Sequence, residues 1–129
     1  MESPVFFIDR SLGRSLLATR LRVAGLDVRV HDEHFPPEAF DETWLEAVAA
    51  NGWCVLTTDL RLRYEPLPRA AIVRGRLAVF EFSKGDRTAE EQARAFLRRS
   101  ARILDLCRNG RRPFVARISQ HGVTVTNLR

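Results

Sequence analysis

Lysine is almost absent from this chain, Lys84 being the single lysine among 21 basic residues. Positive charge is therefore carried by arginine, whose planar guanidinium suits bidentate contact with phosphate or carboxylate. Cysteine is scarce too. Cys54 and Cys107 are too few and too far apart in sequence for a disulfide framework or a zinc cluster. Both lie in apolar contexts, which predicts two buried free thiols in a reducing compartment. No apolar run approaches the length of a membrane span, and no signal-peptide pattern is seen. The expectation is a cytoplasmic protein with no membrane attachment. His31, His34 and His121 form no spaced metal motif, and the H-D-E-H run at 31–34 has no second segment of ligands to complete a zinc site. Phosphate-loop, dinucleotide and nucleophile-elbow motifs are all missing, which sets aside the chemistries they serve.

What is present is an ordinary globular composition. The chain has 129 residues, 45% hydrophobic and 29% charged, enough for one domain (1–129) around one core. A net charge of +5 and a pI near 10.5 favour an anionic partner, nucleic acid above all.

The hydrophobic periods alternate in an α/β manner. Residues 5–8 read as a buried strand and Ser11 to Ala24 as a helix, with Ser11 as its N-cap and Gly25 as its stop. Residues 26–30 read as a second strand, followed by a polar, proline-containing loop over 31–40. Asp41 to Asn51 reads as a helix and Trp53 to Thr57 as a third strand. Pro66 and Pro68 interrupt the pattern over 60–76, so a loop and a short helix around Ala70–Arg74 are expected. Residues 77–82 give a fourth strand. Thr88 and Glu91 form a capping-box pattern before a long helix to about Arg108. Phe114–Ile118 and Val123–Thr126 read as a β-hairpin around a four-residue loop.

Within this frame three aspartates stand out. Asp9 ends the run "PVFFID", Asp59 ends "WCVLTTD", and Asp41 opens an amphipathic segment. If the two runs are neighbouring parallel strands, their carboxyl ends meet at the sheet edge where α/β proteins build sites. Three carboxylates converging there repel one another unless a hard divalent cation lies between them. A Mg²⁺ or Mn²⁺ site acting on phosphate is the first hypothesis. Helix and turn capping is the plainer reading of each aspartate taken alone. Asp32 follows the second strand and is a candidate fourth, outer carboxylate, with Glu33 and Glu38 as solvated loop acids beside it. Arg61 and Arg63 follow Asp59 closely and are candidates to meet a phosphate at the site mouth. Arg94, Arg98 and Arg102 recur every four residues on the outer face of the long helix. That stripe reads as a solvated surface, an RNA-backbone contact or a dock for an acidic protein segment.

The series "FFIDRSLG…LRVAGLDVRVHDEHF…DETWLEAVAANGWCVLTTDLRLR" resembles the PIN-like domains, in particular the VapC-type toxins of bacterial toxin–antitoxin pairs. The resemblance runs from about residue 5 to 82. Its pattern is a strand-end Asp, an Asp opening a helix that carries W-L-x-x-A, and then V-L-T-T-D. It implies a three-layer α/β/α sandwich with a mainly parallel central sheet, to which the C-terminal β-hairpin is added. It also implies a Mg²⁺- or Mn²⁺-dependent ribonuclease in which Asp9, Asp41 and Asp59 match the metal-coordinating acids. The usual pattern has a further acid on a helix between the first two. That helix is missing here, so the fourth acid stays open between Asp32 and Glu33. RNA, a cognate antitoxin covering the site, and a homodimer partner are the partners the resemblance implies. Two alternatives come from other classes. One is a degenerate PIN-like module that binds RNA or protein without cutting. The other is a receiver-like phosphoryl-transfer domain, disfavoured because the late lysine such folds use has no counterpart beyond Lys84.

Overall fold

The computed structural model describes residues 3–12, 16–85 and 88–129. Six strands form one sheet in the order β2-β1-β3-β4-β5-β6. They are β1 (Val5–Ile8), β2 (Asp27–Val30), β3 (Cys54–Thr57), β4 (Ala78–Phe82), β5 (Phe114–Ser119) and β6 (Gly122–Asn127). The first five run parallel, and β6 returns antiparallel to β5. The expected hairpin is thus the far edge of the central sheet and not an appendage. Its turn is tighter than expected, because Ser119 and Gly122 still pair across it.

Parallel strands covered on both faces should read as continuous apolar runs, and β3 and β4 are buried throughout. The α-helices are α1 (Leu16–Val23), α2 (Asp41–Asn51), α3 (Pro66–Gly75), α4 (Ala89–Arg98) and α5 (Ser100–Asn109). Phe7, Val55, Val79 and Val115 pack on one face with Trp44, Leu45 and Val48 of α2 and Ile72 of α3. On the other face Phe6, Leu56, Phe80 and Phe114 meet Leu17 and Leu21 of α1, Phe96 of α4 and Ile103 of α5. This is the three-layer α/β/α arrangement.

Four local readings change. The segment expected to be one helix from Ser11 begins with a 3-10 turn over Arg10–Leu12, and α1 starts at Leu16; Gly13 to Ser15 lie outside the described residues. The Ser11 hydroxyl donates to the Asp9 carboxylate, and the residues it was expected to cap lie outside the described ones. The prolines start α3 instead of delaying it. Pro66 and Pro68 both sit in the first turn, where backbone N–H groups have no helical partner to lose. The long C-terminal helix breaks at Arg99, whose φ of −108° and ψ of 15° leave the helical region. The Arg99 guanidinium donates to the Gln120 carbonyl in the β5–β6 turn at 2.8 Å. The break separates Arg102 from Arg94 and Arg98, and leaves Ala101 exposed. The capping box of Thr88 and Glu91 is present as expected.

Trp44 anchors the α2 layer. It is fully buried and its ring stacks on Phe7 at 5.4 Å. Its indole Nε1–H donates to Asp41 Oδ1 at 3.0 Å, so one side chain joins core and sheet edge. Trp44→Phe keeps most of the ring contact and loses that hydrogen bond. Urea denaturation should show a loss of about 1 kcal/mol, against about 3–5 kcal/mol for Trp44→Ala.

Candidate metal centre at the carboxyl edge of the sheet

Side chains alternate across a strand. Phe7 and Val55 face the α2–α3 layer, so Asp9 and Thr57, two residues further on, face the same way at the carboxyl ends of β1 and β3. The β3–β4 register pairs Thr57 with Glu81, and the β4–β5 register pairs Glu81 with Arg117. The edge therefore presents Asp9, Thr57, Glu81 and Arg117 in a row, with the N-terminus of α2 above it.

Asp9 is 3% exposed. Its backbone N–H still donates to the Leu56 carbonyl at 3.2 Å, which holds it to β3. Oδ1 accepts from the Ser11 hydroxyl and from the Ser11 N–H at 3.0 Å, and Oδ2 accepts from the Thr57 hydroxyl at 2.6 Å. The Ser11 hydroxyl in turn accepts the Thr58 N–H at 2.9 Å, and the Thr57 hydroxyl accepts the Asp59 N–H at 2.9 Å. The T-T-D run is thus a set of donors and acceptors tying the two strand ends together. Burial pushes the Asp9 carboxyl up to about 6; the Ser11 and Thr57 donors resist that rise and the Asp59 charge adds to it.

Asp59 and Asp41 are more open. Asp59 accepts the Arg61 N–H at 3.0 Å and is forked by the Arg61 guanidinium at 3.1 and 3.3 Å. Asp41 is the first residue of α2; the N-cap is Phe40, with no side-chain cap. Besides Trp44, Asp41 Oδ1 accepts from Arg10 at 3.4 Å. Arg10 also donates to the carbonyls of Pro37 and Ala39 and so folds the 36–40 loop over the edge. Beside Asp41, Arg10, Phe40, Glu65 and Leu67 line a cleft of about 520 Å³. Phe40 and Leu67 of its lining are 71% and 65% exposed, and Tyr64 is 68% exposed.

The other expected residues have contacts of their own. Asp32 sits in a 3-10 turn after β2, its carboxylate 3.6 Å from His31 Nδ1. Glu33 reaches back to Arg22 of α1 at 3.3 Å. Arg63, expected at the mouth, is 9% exposed and turned inward. It donates to Glu81 Oε1, which also takes Arg117 at 2.7 and 3.0 Å. The physical reason is Glu81 itself: a carboxylate 1% exposed in a buried strand requires a positive partner. Sequence reasoning missed Glu81, and its signal was a lone charge between phenylalanines in "LAVFEF". His31 is fully buried among Phe7, Phe35 and Trp44, a core histidine with its pKa lowered first by burial.

A hard divalent cation suits the donor chemistry, since Asp9, Asp41 and Asp59 offer only carboxylate oxygens and Asp9, buried, has no cationic partner among the described residues. The side chains are not gathered for it: among the described residues no three of His, Cys, Asp or Glu form a ligating group. Arg10 and Arg61 stand where a cation would neutralise Asp41 and Asp59. Arg61 is 74% exposed and free to swing away. Arg61→Ala should therefore tighten Mn²⁺ binding by roughly 3- to 10-fold in a titration, with no measurable change in Tm.

Among the described residues no helix is long and apolar enough to cross a membrane. No curated protein and no solved structure matches the chain. The family model described as PIN like domain matches residues 4–84, which takes in Asp9, Asp41, Asp59 and Glu81 and the strands that carry them. PIN-like domains are generally nucleases, and the mainly parallel central sheet with helices on both faces is consistent with that fold. The chain belongs to the PIN-like domain family.

Proposed function

We propose that this protein is a Mg²⁺- or Mn²⁺-dependent endoribonuclease, cytoplasmic, acting as the toxin of a toxin–antitoxin pair. The observation that supports it most is Asp9: a buried carboxylate at the end of β1, within reach of the Asp59 charge, in a PIN-like domain. Asp9, Asp41 and Asp59 would hold the cation, with Asp32 as an outer acid one strand away. When bound, the cation polarises the scissile phosphate and lowers the pKa of an attacking water.

The chain's own groups do the rest. Ser11 and Thr57 fix both Asp9 oxygens, so the carboxylate is oriented before substrate arrives. Arg61, released from Asp59, meets the phosphate and stabilises the charge that develops on it. Arg63 acts behind it by holding Glu81 and the edge of β4 in place. Phe40 and Tyr64 give exposed rings for unstacked bases beside the acids. The net charge of +5 holds the RNA backbone. An antitoxin would place an Arg or Lys among the acids, as Arg10 and Arg61 do within this chain. A homodimer is also part of the reading.

The second reading, a binding module that has lost catalysis, is favoured by one observation: Asp41 and Asp59 are paired with arginines, and among the described residues the acids are not grouped. Cleavage of a mixed RNA pool with Mg²⁺, Mn²⁺ or EDTA separates the two. Cutting that needs the metal and is lost in Asp59→Asn supports the nuclease. Folded protein free of antitoxin that cuts no RNA with either metal supports the module.

A further inference from the structure

At the opposite, amino end of the sheet lies a second group of reactive side chains. Cys54 opens β3 and Cys107 sits in the last turn of α5. Separated by 53 positions in sequence, their Sγ atoms stand 3.0 Å apart as free thiols. Both are buried, at 1% and 6% exposure. Arg112 joins them: its Nη2 donates to the Cys107 carbonyl at 2.7 Å and lies 3.6 Å from Cys54 Sγ. The turn that brings Arg112 there is tight, since a Cβ on Gly110 would fall 2.5 Å from the Leu106 carbonyl oxygen. A cleft of about 430 Å³, lined by both cysteines with Trp53, Arg108 and Arg112, opens onto the pair.

The two thiols are unequal. The Cys107 side chain and the Arg112 guanidinium stabilise a Cys54 thiolate against its burial, so the Cys54 pKa is lowered. Cys107 keeps its proton, its pKa raised first by the shared hydrogen bond and then by burial. A thiolate beside a guanidinium is the nucleophilic form, and a protonated thiol in contact with it is placed to resolve what it forms.

We propose that Cys54 and Cys107 form a redox-modification site, in which a small hydroperoxide admitted by the cleft converts the dithiol into an intramolecular disulfide. The Cys54 thiolate attacks the terminal peroxide oxygen; the O–O bond breaks, leaving Cys54 sulfenic acid and releasing hydroxide or alkoxide, which takes up a proton. Cys107 sulfur then attacks Cys54 Sγ and loses its proton, and the sulfenic oxygen leaves as water. Two thiols and one hydrogen peroxide give one disulfide and two waters. The bond would tie α5 to β3 and close a loop of 53 residues, which restricts the unfolded chain and raises Tm by several degrees.

The test is independent of any nuclease activity. Folded wild-type protein is treated with hydrogen peroxide, then analysed by thiol titration, intact mass and peptide mapping. The proposal expects loss of both thiols, a mass lower by two hydrogens, a cross-linked Cys54–Cys107 peptide, a raised Tm and reversal by dithiothreitol. Cys107→Ser should stop at a sulfenic acid on Cys54, trapped by a 1,3-dione, and Arg112→Met should slow the reaction roughly tenfold. Unchanged thiols, disulfides between chains, or a sulfinic acid on either cysteine without the internal bond would each overturn it. If Cys107→Ser does not fold, the wild-type peptide map decides alone.

Discussion

Asp9→Asn is expected to lower RNA cleavage by about 100-fold or more, since a cation held by the acids contributes several kcal/mol at the transition state. The same substitution should make the metal-free protein more stable at neutral pH. Burial raises the Asp9 pKa from 3.8 to about 6. A carboxyl raised in the folded state favours the protonated form there, so stability is highest at low pH and falls as pH climbs from about 4 to about 6. Above that window the ionised group costs about 3 kcal/mol. Asparagine removes that cost and loses one hydroxyl donation, for a net gain of about 2 kcal/mol. Urea denaturation in chelator at about pH 7.5 should show the gain, and at about pH 4 the two proteins should agree to within about 0.5 kcal/mol. Equal stabilities at both pH values would mean that the buried carboxylate bears no such cost.

A large loss of stability should come from Glu81→Gln. Glu81 is the sole carboxylate between Arg63 and Arg117 among the ion pairs of the described residues. Arg117 is 40% exposed and can turn to water, whereas Arg63 is 10% exposed and its Nε already has no hydrogen-bond partner. Removing one charge of a buried pair leaves the other uncompensated, at a cost of about 3–5 kcal/mol. Arg117→Ala should cost under about 1 kcal/mol, because the solvated partner is the dispensable one. Arg63→Met combined with Glu81→Leu should recover most of the loss, since a well-packed apolar pair often matches a buried ion pair. Chemical denaturation of the four proteins measures the cycle.

The strands and the aspartates were legible because both obey local rules. Apolar runs ending in a polar residue mark buried parallel strands and their carboxyl ends, and Asp9 and Asp59 fell there as expected. What was not legible depends on contacts distant in sequence. Nothing local to Arg63 says that it turns inward, because its partner Glu81 lies 18 positions on. Arg10 reads as an ordinary surface charge until the 36–40 loop folds over it. The two cysteines were expected to be buried and free, and they are; their contact is made only when the last turn of α5 meets the start of β3. Pro66 and Pro68 misled for a different reason, since a helix tolerates proline in its first turn and nowhere else. The partners of the acids were not legible either: Asp9 takes Ser11 and Thr57, Asp41 takes Trp44 and Arg10, and Asp59 takes Arg61.

Titration of Mn²⁺ followed by its electron paramagnetic resonance decides whether those acids form one cation site. Wild-type protein should remove Mn²⁺ from solution, Asp9→Asn and Asp41→Asn should each weaken binding by about tenfold or more, and Arg61→Ala should strengthen it. Folded protein that binds no Mn²⁺, or binds it equally in Asp9→Asn, would contradict a shared carboxylate centre at this edge of the sheet.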